Sequence, residues 1–265
     1  MVVQVFLSFF AKNTATKLNR LKRSFALSAF AFGILGNPVL LAEESGIFAG
    51  VEVGYGASTF ENKVTVSATG FNQSQSAKYN GDGVKYGLVV GYKQFFTPYF
   101  GLRYYANVAF SHAELKSNTV AKDYGWKSKV NGTMINYGAN IDALVNFVAK
   151  ESLDFGAFVG VGVGGATWIG KDLDDHEDYI QTINAQWSLT RTGLDVALNA
   201  GLRLTVADNH GFEVVARVPF IKTTLLDESG NGTIQTTQGA TQVNAKLTNT
   251  LSHTYSITAR YTYSF

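Results

Sequence analysis

The 265-residue chain is 46% hydrophobic and only 16% charged, below the roughly 25% charged residues of an average soluble domain. It contains no cysteine, which excludes disulfide frameworks and thiolate-ligated zinc or iron–sulfur centres. Its 22 basic and 20 acidic side chains give a net charge of +2, but the excess sits at the amino end and makes no case for nucleic acid.

The one continuous apolar run occupies residues 25–35, behind Lys17, Arg20, Lys22 and Arg23 and ahead of Leu40, Leu41 and Ala42. A basic stretch, a short apolar stretch and a small residue describe a secretory signal peptide, with cleavage expected after Ala42. The run falls short of the ~20 apolar residues of a spanning helix, although an uncleaved anchor is the alternative. Removing residues 1–42 takes five basic and no acidic side chains, so residues 43–265 carry a net charge of −3.

Period-two alternation then recurs along the chain, each segment with one greasy face and one of glycines and polar groups. Ile47, Ala49, Val51, Val53 and Tyr55 alternate with Phe48, Gly50, Glu52, Gly54 and Gly56. Val84, Tyr86, Leu88, Val90 and Tyr92 alternate with Lys85, Gly87, Val89, Gly91 and Lys93. Further segments are centred on Tyr104, Ile141, Val161, Leu198 and Val214, and the last sets Tyr255, Ile257, Ala259, Tyr261, Tyr263 and Phe265 against Ser256, Thr258, Arg260, Thr262 and Ser264. One such strand would suit a soluble sandwich equally well.

Connection lengths separate the two. Three are short, around Thr97, Ser152 and Asn209, and four are long and polar, at 57–83, 112–132, 168–191 and 222–250. Short periplasmic turns, longer outer loops and an even strand number are the signature of a membrane barrel, because hydrocarbon admits no unpaired sheet edge. Aromatics also collect at both strand ends, with Tyr92, Phe100, Phe147, Phe155 and Phe212 at one and Tyr55, Tyr86, Phe110, Tyr137 and Phe220 at the other. The expected fold is all-β: a single eight-stranded antiparallel transmembrane β-barrel over residues 43–265. Ten strands are the alternative if 63–69 and 233–243 form a further hairpin pair or strand extensions.

The ending Tyr261, Tyr263, Phe265 resembles the C-terminal signature of bacterial outer-membrane barrels, which implies recognition by the barrel-assembly machinery. Taken with the start Glu43, Glu44, Ser45, Gly46, Ile47, Phe48, Ala49, Gly50, Val51, Glu52, Val53, Gly54, Tyr55, Gly56, the closing strand resembles the Helicobacter outer-membrane protein family. That resemblance implies a bacterial outer-membrane location, contact with outer-membrane lipid and lipopolysaccharide, and a role as porin or host-binding adhesin. The chain departs from the larger adhesins in lacking cysteines and a long inserted outer domain, which argues against receptor binding.

Candidate chemistry is sparse. Gly160, Gly162 and Gly165 satisfy G-x-G-x-x-G, but no amphipathic helix is expected after them to present its N-terminus to a pyrophosphate. Asp172, Asp174, Asp175, His176, Glu177 and Asp178 form an acidic cluster, expected to be a solvated loop and not a calcium site. Alternation places His112 and His253 with Phe110 and Tyr255 on the lipid face and Ser111 and Ser252 inward, which argues against a Ser–His hydrolase at the rim. Inward charges are the informative set: Lys85, Lys93, Arg103, Arg203, Arg217 and Arg260 against Glu52, Asp142, Asp154, Asp195 and Glu213. Eight strands enclose an interior that side chains just fill, so these charges are expected to pair and plug the lumen. The expectation is a non-enzymatic barrel without cofactor or metal, with a structural or surface-interaction role and an unidentified surface ligand; a small channel is the alternative, followed by a lipid hydrolase.

Overall fold

A computed structural model describes residues 43–117, 129–150, 152–236 and 239–265. The expected leader, residues 1–42, and residues 118–128 of the second outer connection lie outside the described residues. In chain order the elements are β1 (Gly46–Ala68), β2 (Phe71–Thr97), β3 (Phe100–Ser117), β4 (Lys129–Lys150), β5 (Leu153–Ile169), α1 (Lys171–Ile183), β6 (Thr192–Val206), β7 (His210–Pro219), β8 (Thr223–Thr236) and β9 (Gly239–Ser264).

Every neighbouring pair is antiparallel. The order β1-β2-β3-β4-β5-β6-β7-β9 closes through β1–β9 pairing, from Phe48 opposite Ser264 to Ala68 opposite Val243. Closure gives each lower strand two partners and leaves no edge to the bilayer, which is why a sheet can stand there at all. β8 is a ninth strand but not a ninth stave: it pairs with the upper half of β9, directly above β7, which pairs with the lower half. The ring therefore stays eight-stranded.

Tight turns close the periplasmic end. The turn before β7 holds Ala207 and Asp208 at positive φ (50° and 64°), and Asn209 Nδ2 donates to the carbonyl of Ser264 at 2.7 Å. That bond ties the last turn to the last strand.

The outer connections correct the expectation of polar loops. Residues 57–83 are almost wholly strand, continuing β1 and β2 to a two-residue turn at Thr69 and Gly70, where φ is +76°. Residues 222–250 form the β8–β9 hairpin, and 168–191 contain the helix α1. Reading these stretches as loops mistook polarity for irregularity. Glu61, Lys63 and Thr65 alternate with Asn62, Val64 and Val66, as a sheet does when water is outside and oil inside.

At ~3.3 Å per residue and ~40° of tilt, the 23 residues of β1 rise roughly 60 Å, against an apolar band ~25 Å tall. The lower half carries that band: Val51, Val53, Leu88, Val90, Val159, Val161, Val163, Leu202 and Val214 are all exposed on its outer surface. The upper half inverts the arrangement. Phe60, Tyr79, Leu115, Met134, Trp168, Leu173, Ile180, Trp187, Leu225, Val243 and Leu251 form one buried apolar core.

Helix α1 belongs to this upper core. Leu173 and Ile180, seven residues apart, share its buried face. Its polar groups anchor it: Asp172 accepts from the Asn131 backbone N–H at 2.7 Å on β4, and His176 Nε2 meets Asn249 Nδ2 at 2.8 Å on β9. The helix thus straps β4 to β9.

Candidate functional site in the lumen

Inside the lower half, the alternation of eight strands directs one charged or amide side chain after another toward the axis. Asp142, Arg103, Glu213, Arg260, Glu52 and Lys85 form a single chain of alternating sign. Arg103 Nη2 donates to Asp142 at 2.7 Å and its Nη1 to Glu213; Arg260 reaches Glu213 at 3.4 Å and Glu52 at 2.8 Å; Glu52 meets Lys85 Nζ at 3.6 Å. All six are buried, and Lys85 also donates to Ser256 Oγ at 3.0 Å. Arg217 pairs separately with Asp195 at 2.7 Å and donates to Asn140 and Asn199.

Aromatic rings fill what the charges leave. The Arg103 guanidinium lies 4.7 Å from the Phe158 ring centre and 5.2 Å from Tyr105, with Phe48 on a further side; Arg260 lies 5.1 Å from Tyr105. Room for the network comes from glycine. A Cβ on Gly160 would stand 2.1 Å from Asp142 Oδ1, and one on Gly162 2.2 Å from Asn140 Oδ1 and 2.9 Å from Arg217 Nη1. Both glycines are extended residues of β5, hydrogen-bonded on each side. Contrary to expectation an amphipathic helix does follow them, but Gly160 and Gly162 serve the lumen, not a phosphate.

The residue that sequence reasoning missed is Glu43. It precedes β1, so no alternation flagged it, yet its carboxylate is fully buried at the periplasmic mouth. It accepts from Lys93 Nζ at 2.7 Å and from Arg203, whose Nη1 reaches Asn146 at 2.8 Å. Burial pushes the Glu43 carboxyl up, but the Arg203 charge first and Lys93 next outweigh it and hold it at about 2. Asp154 is buried on β5 opposite Thr205, and among the described residues it makes no ion pair. Lys93, Arg203 and Asp154 thus form a periplasmic layer apart from the central chain. Cavities of about 10 Å³ remain in each layer, enough for one water molecule.

Two face assignments on β9 were wrong, those of His253 and its neighbour Ser252. His112 is exposed beside Tyr86 as expected, but His253 is buried, its Nδ1 3.3 Å from Ser58 Oγ. The cause is a bulge: Tyr255 pairs with Ala57 and His253 with Ser58, so Thr254 is the extra residue and the inward set changes parity. Ser111 Oγ and His253 Nε2 both stand without a hydrogen-bond partner beside Gly56. The acidic cluster is helical rather than a solvated loop: Asp174 and Glu177 pair with Arg191, and Asp175 with Lys171 at 2.7 Å. Tyr261, Tyr263 and Phe265 face outward at the periplasmic rim, with Tyr263 and Phe265 edge to face at 5.2 Å.

A closed ring with an apolar outer band and a charged interior defines an integral outer-membrane β-barrel. The family model described as Helicobacter outer membrane protein matches residues 87–265, and the chain belongs to that family. The protein is therefore a resident of the bacterial outer membrane. Among solved structures it is similar to OprG of Pseudomonas aeruginosa, with 16% identity over 85% of this chain and 98% of that one and a TM-score of 0.43. It is also similar to Neisserial surface protein A, with 12% identity over 81% and 99% and a TM-score of 0.31. Ail of Yersinia pestis follows at 13% identity over 79% and 98%, with a TM-score of 0.27. Among curated proteins none matches the chain.

Proposed function

We propose that the barrel is a sealed, non-catalytic element of the outer membrane that carries a rigid, water-facing extension as its structural or interaction surface. The observation that carries this reading is the chain of six alternating charges across the lumen from Asp142 to Lys85. An ion path needs weakly held, hydrated groups, whereas guanidinium groups clamped between carboxylates and rings leave no such route. The carboxy-terminal Tyr261, Tyr263 and Phe265 are read as the face offered to the barrel-assembly machinery, and lipopolysaccharide as the neighbour of the exposed apolar band. Catalysis does not enter, because His253 and Ser58 touch inside the wall, out of reach of lipid.

Planar-bilayer recording tests the seal. The wild-type protein should give no stable openings, and Arg103→Ala or Arg217→Ala should introduce them. Uniform wild-type openings would establish the small-channel alternative instead.

A further inference from the structure

The periplasmic layer leaves one buried carboxylate, Asp154, without an ion pair among the described residues. Lys93 and Arg203 share the Glu43 carboxylate, while Asp154 stands opposite Thr205. Thr205 Oγ1 lies 3.4 Å from Glu43 Oε1 and 3.1 Å from Arg203 Nη2, so Asp154 borders the Glu43 pocket. Glu43 Oε2 is buried with no hydrogen-bond partner, whereas Asp208, on the adjoining turn, is exposed to solvent. Both buried cations are thus taken by Glu43, and among the described residues neither forms an ion pair with Asp154. A buried carboxylate without an ion-pair partner is costly, which points to a positive group that the side chains do not supply.

We infer that cleavage of the Ala42–Glu43 peptide bond supplies it: the new α-ammonium of Glu43 pairs with the Asp154 carboxylate and completes the periplasmic plug. The step is hydrolysis by a leader peptidase. One water is consumed, the amide C–N bond breaks, Ala42 leaves as a carboxylate and Glu43 gains the ammonium. Glu43 then acts twice, its side chain holding Lys93 and Arg203 and its backbone nitrogen holding Asp154. Processing becomes part of folding. While the leader remains, the same nitrogen is an uncharged amide and Asp154 stays unmatched.

This inference rests on the leader assignment and not on the sealed lumen, so its test avoids conductance. Protein is extracted from outer membranes as wild type, as Asp154→Asn, with one alanine inserted between residues 42 and 43, and with both changes; N-terminal sequencing accompanies each. The readout is the temperature at which the folded gel band is lost. The insertion and Asp154→Asn should each lower that temperature by several degrees, and together by no more than either alone. Additive losses, coupling to Asp208→Asn instead, or a wild-type start other than Glu43 would overturn the inference. If the insertion blocks assembly, acylation decides: the α-amine of wild type should react slowly and that of Asp154→Asn quickly, and equal rates would sink the idea.

Discussion

The two halves of this barrel are built on one backbone and opposite solvents. Below, oil is outside and charge inside; above, water is outside and oil inside. Strands β1 to β5 cross the boundary without losing parity, since Glu52 and Phe60 share one face of β1, as Arg103 and Leu115 share one face of β3. Composition changes, not geometry. A sheet's face is therefore defined only with the medium it meets, and one strand can change media halfway along. Strand β9 instead resets its parity between the two halves, through the bulge at Thr254.

Substitutions in the two halves should separate them. Arg103→Ala strands two carboxylates in the lower core and is expected to cost about 3–5 kcal/mol, read as urea unfolding from lipid vesicles. Trp168→Ala in the upper core should cost about 3–5 kcal/mol by cavity formation, but locally. It should expose the outer hairpins to protease on intact cells while the lower barrel keeps its heat-resistant gel mobility; loss of both together would mean that the halves unfold as one. Val161→Arg, at mid-height of the apolar band, should cost about 2–4 kcal/mol in the same urea assay, whereas Thr65→Arg on the upper wall should stay within about 0.5 kcal/mol. Comparable losses at both sites would erase the boundary.

Acid offers a gentler probe. The Glu43 carboxyl is depressed from 4.5 to about 2, so its stabilisation is complete above pH 4.5 and drains away as pH falls toward 2. By linkage the loss is at most about 3 kcal/mol, and Glu43→Gln should flatten this part of the pH–stability profile. An unchanged slope would remove Glu43 from the account.

The lower half was legible because hydrocarbon tolerates no ambiguity: each lipid-facing position must be apolar, so Val159, Val161 and Val163 announce their face. The upper half was not, since water tolerates almost any side chain, and Thr65 or Asn72 reads equally as loop. The signal that existed was weaker, with Val64 and Val66 two apart and Leu173 and Ile180 one heptad apart. His253 was misplaced because a bulge leaves no mark on composition. Glu43 was missed because periodicity starts only where a strand does.

The β1–β2 hairpin also bears on how the protein reaches its place. Its tip must cross the bilayer from the periplasmic side before it can stand in the medium beyond. Between residues 57 and 83 it carries Glu61 and Asp82 against Lys63 and Lys78, with Glu61 and Lys78 3.9 Å apart across the strands. The remainder is mostly hydroxyl, amide and small side chains. The cargo dragged through oil is therefore electrically neutral, and two of its four charges can travel side by side.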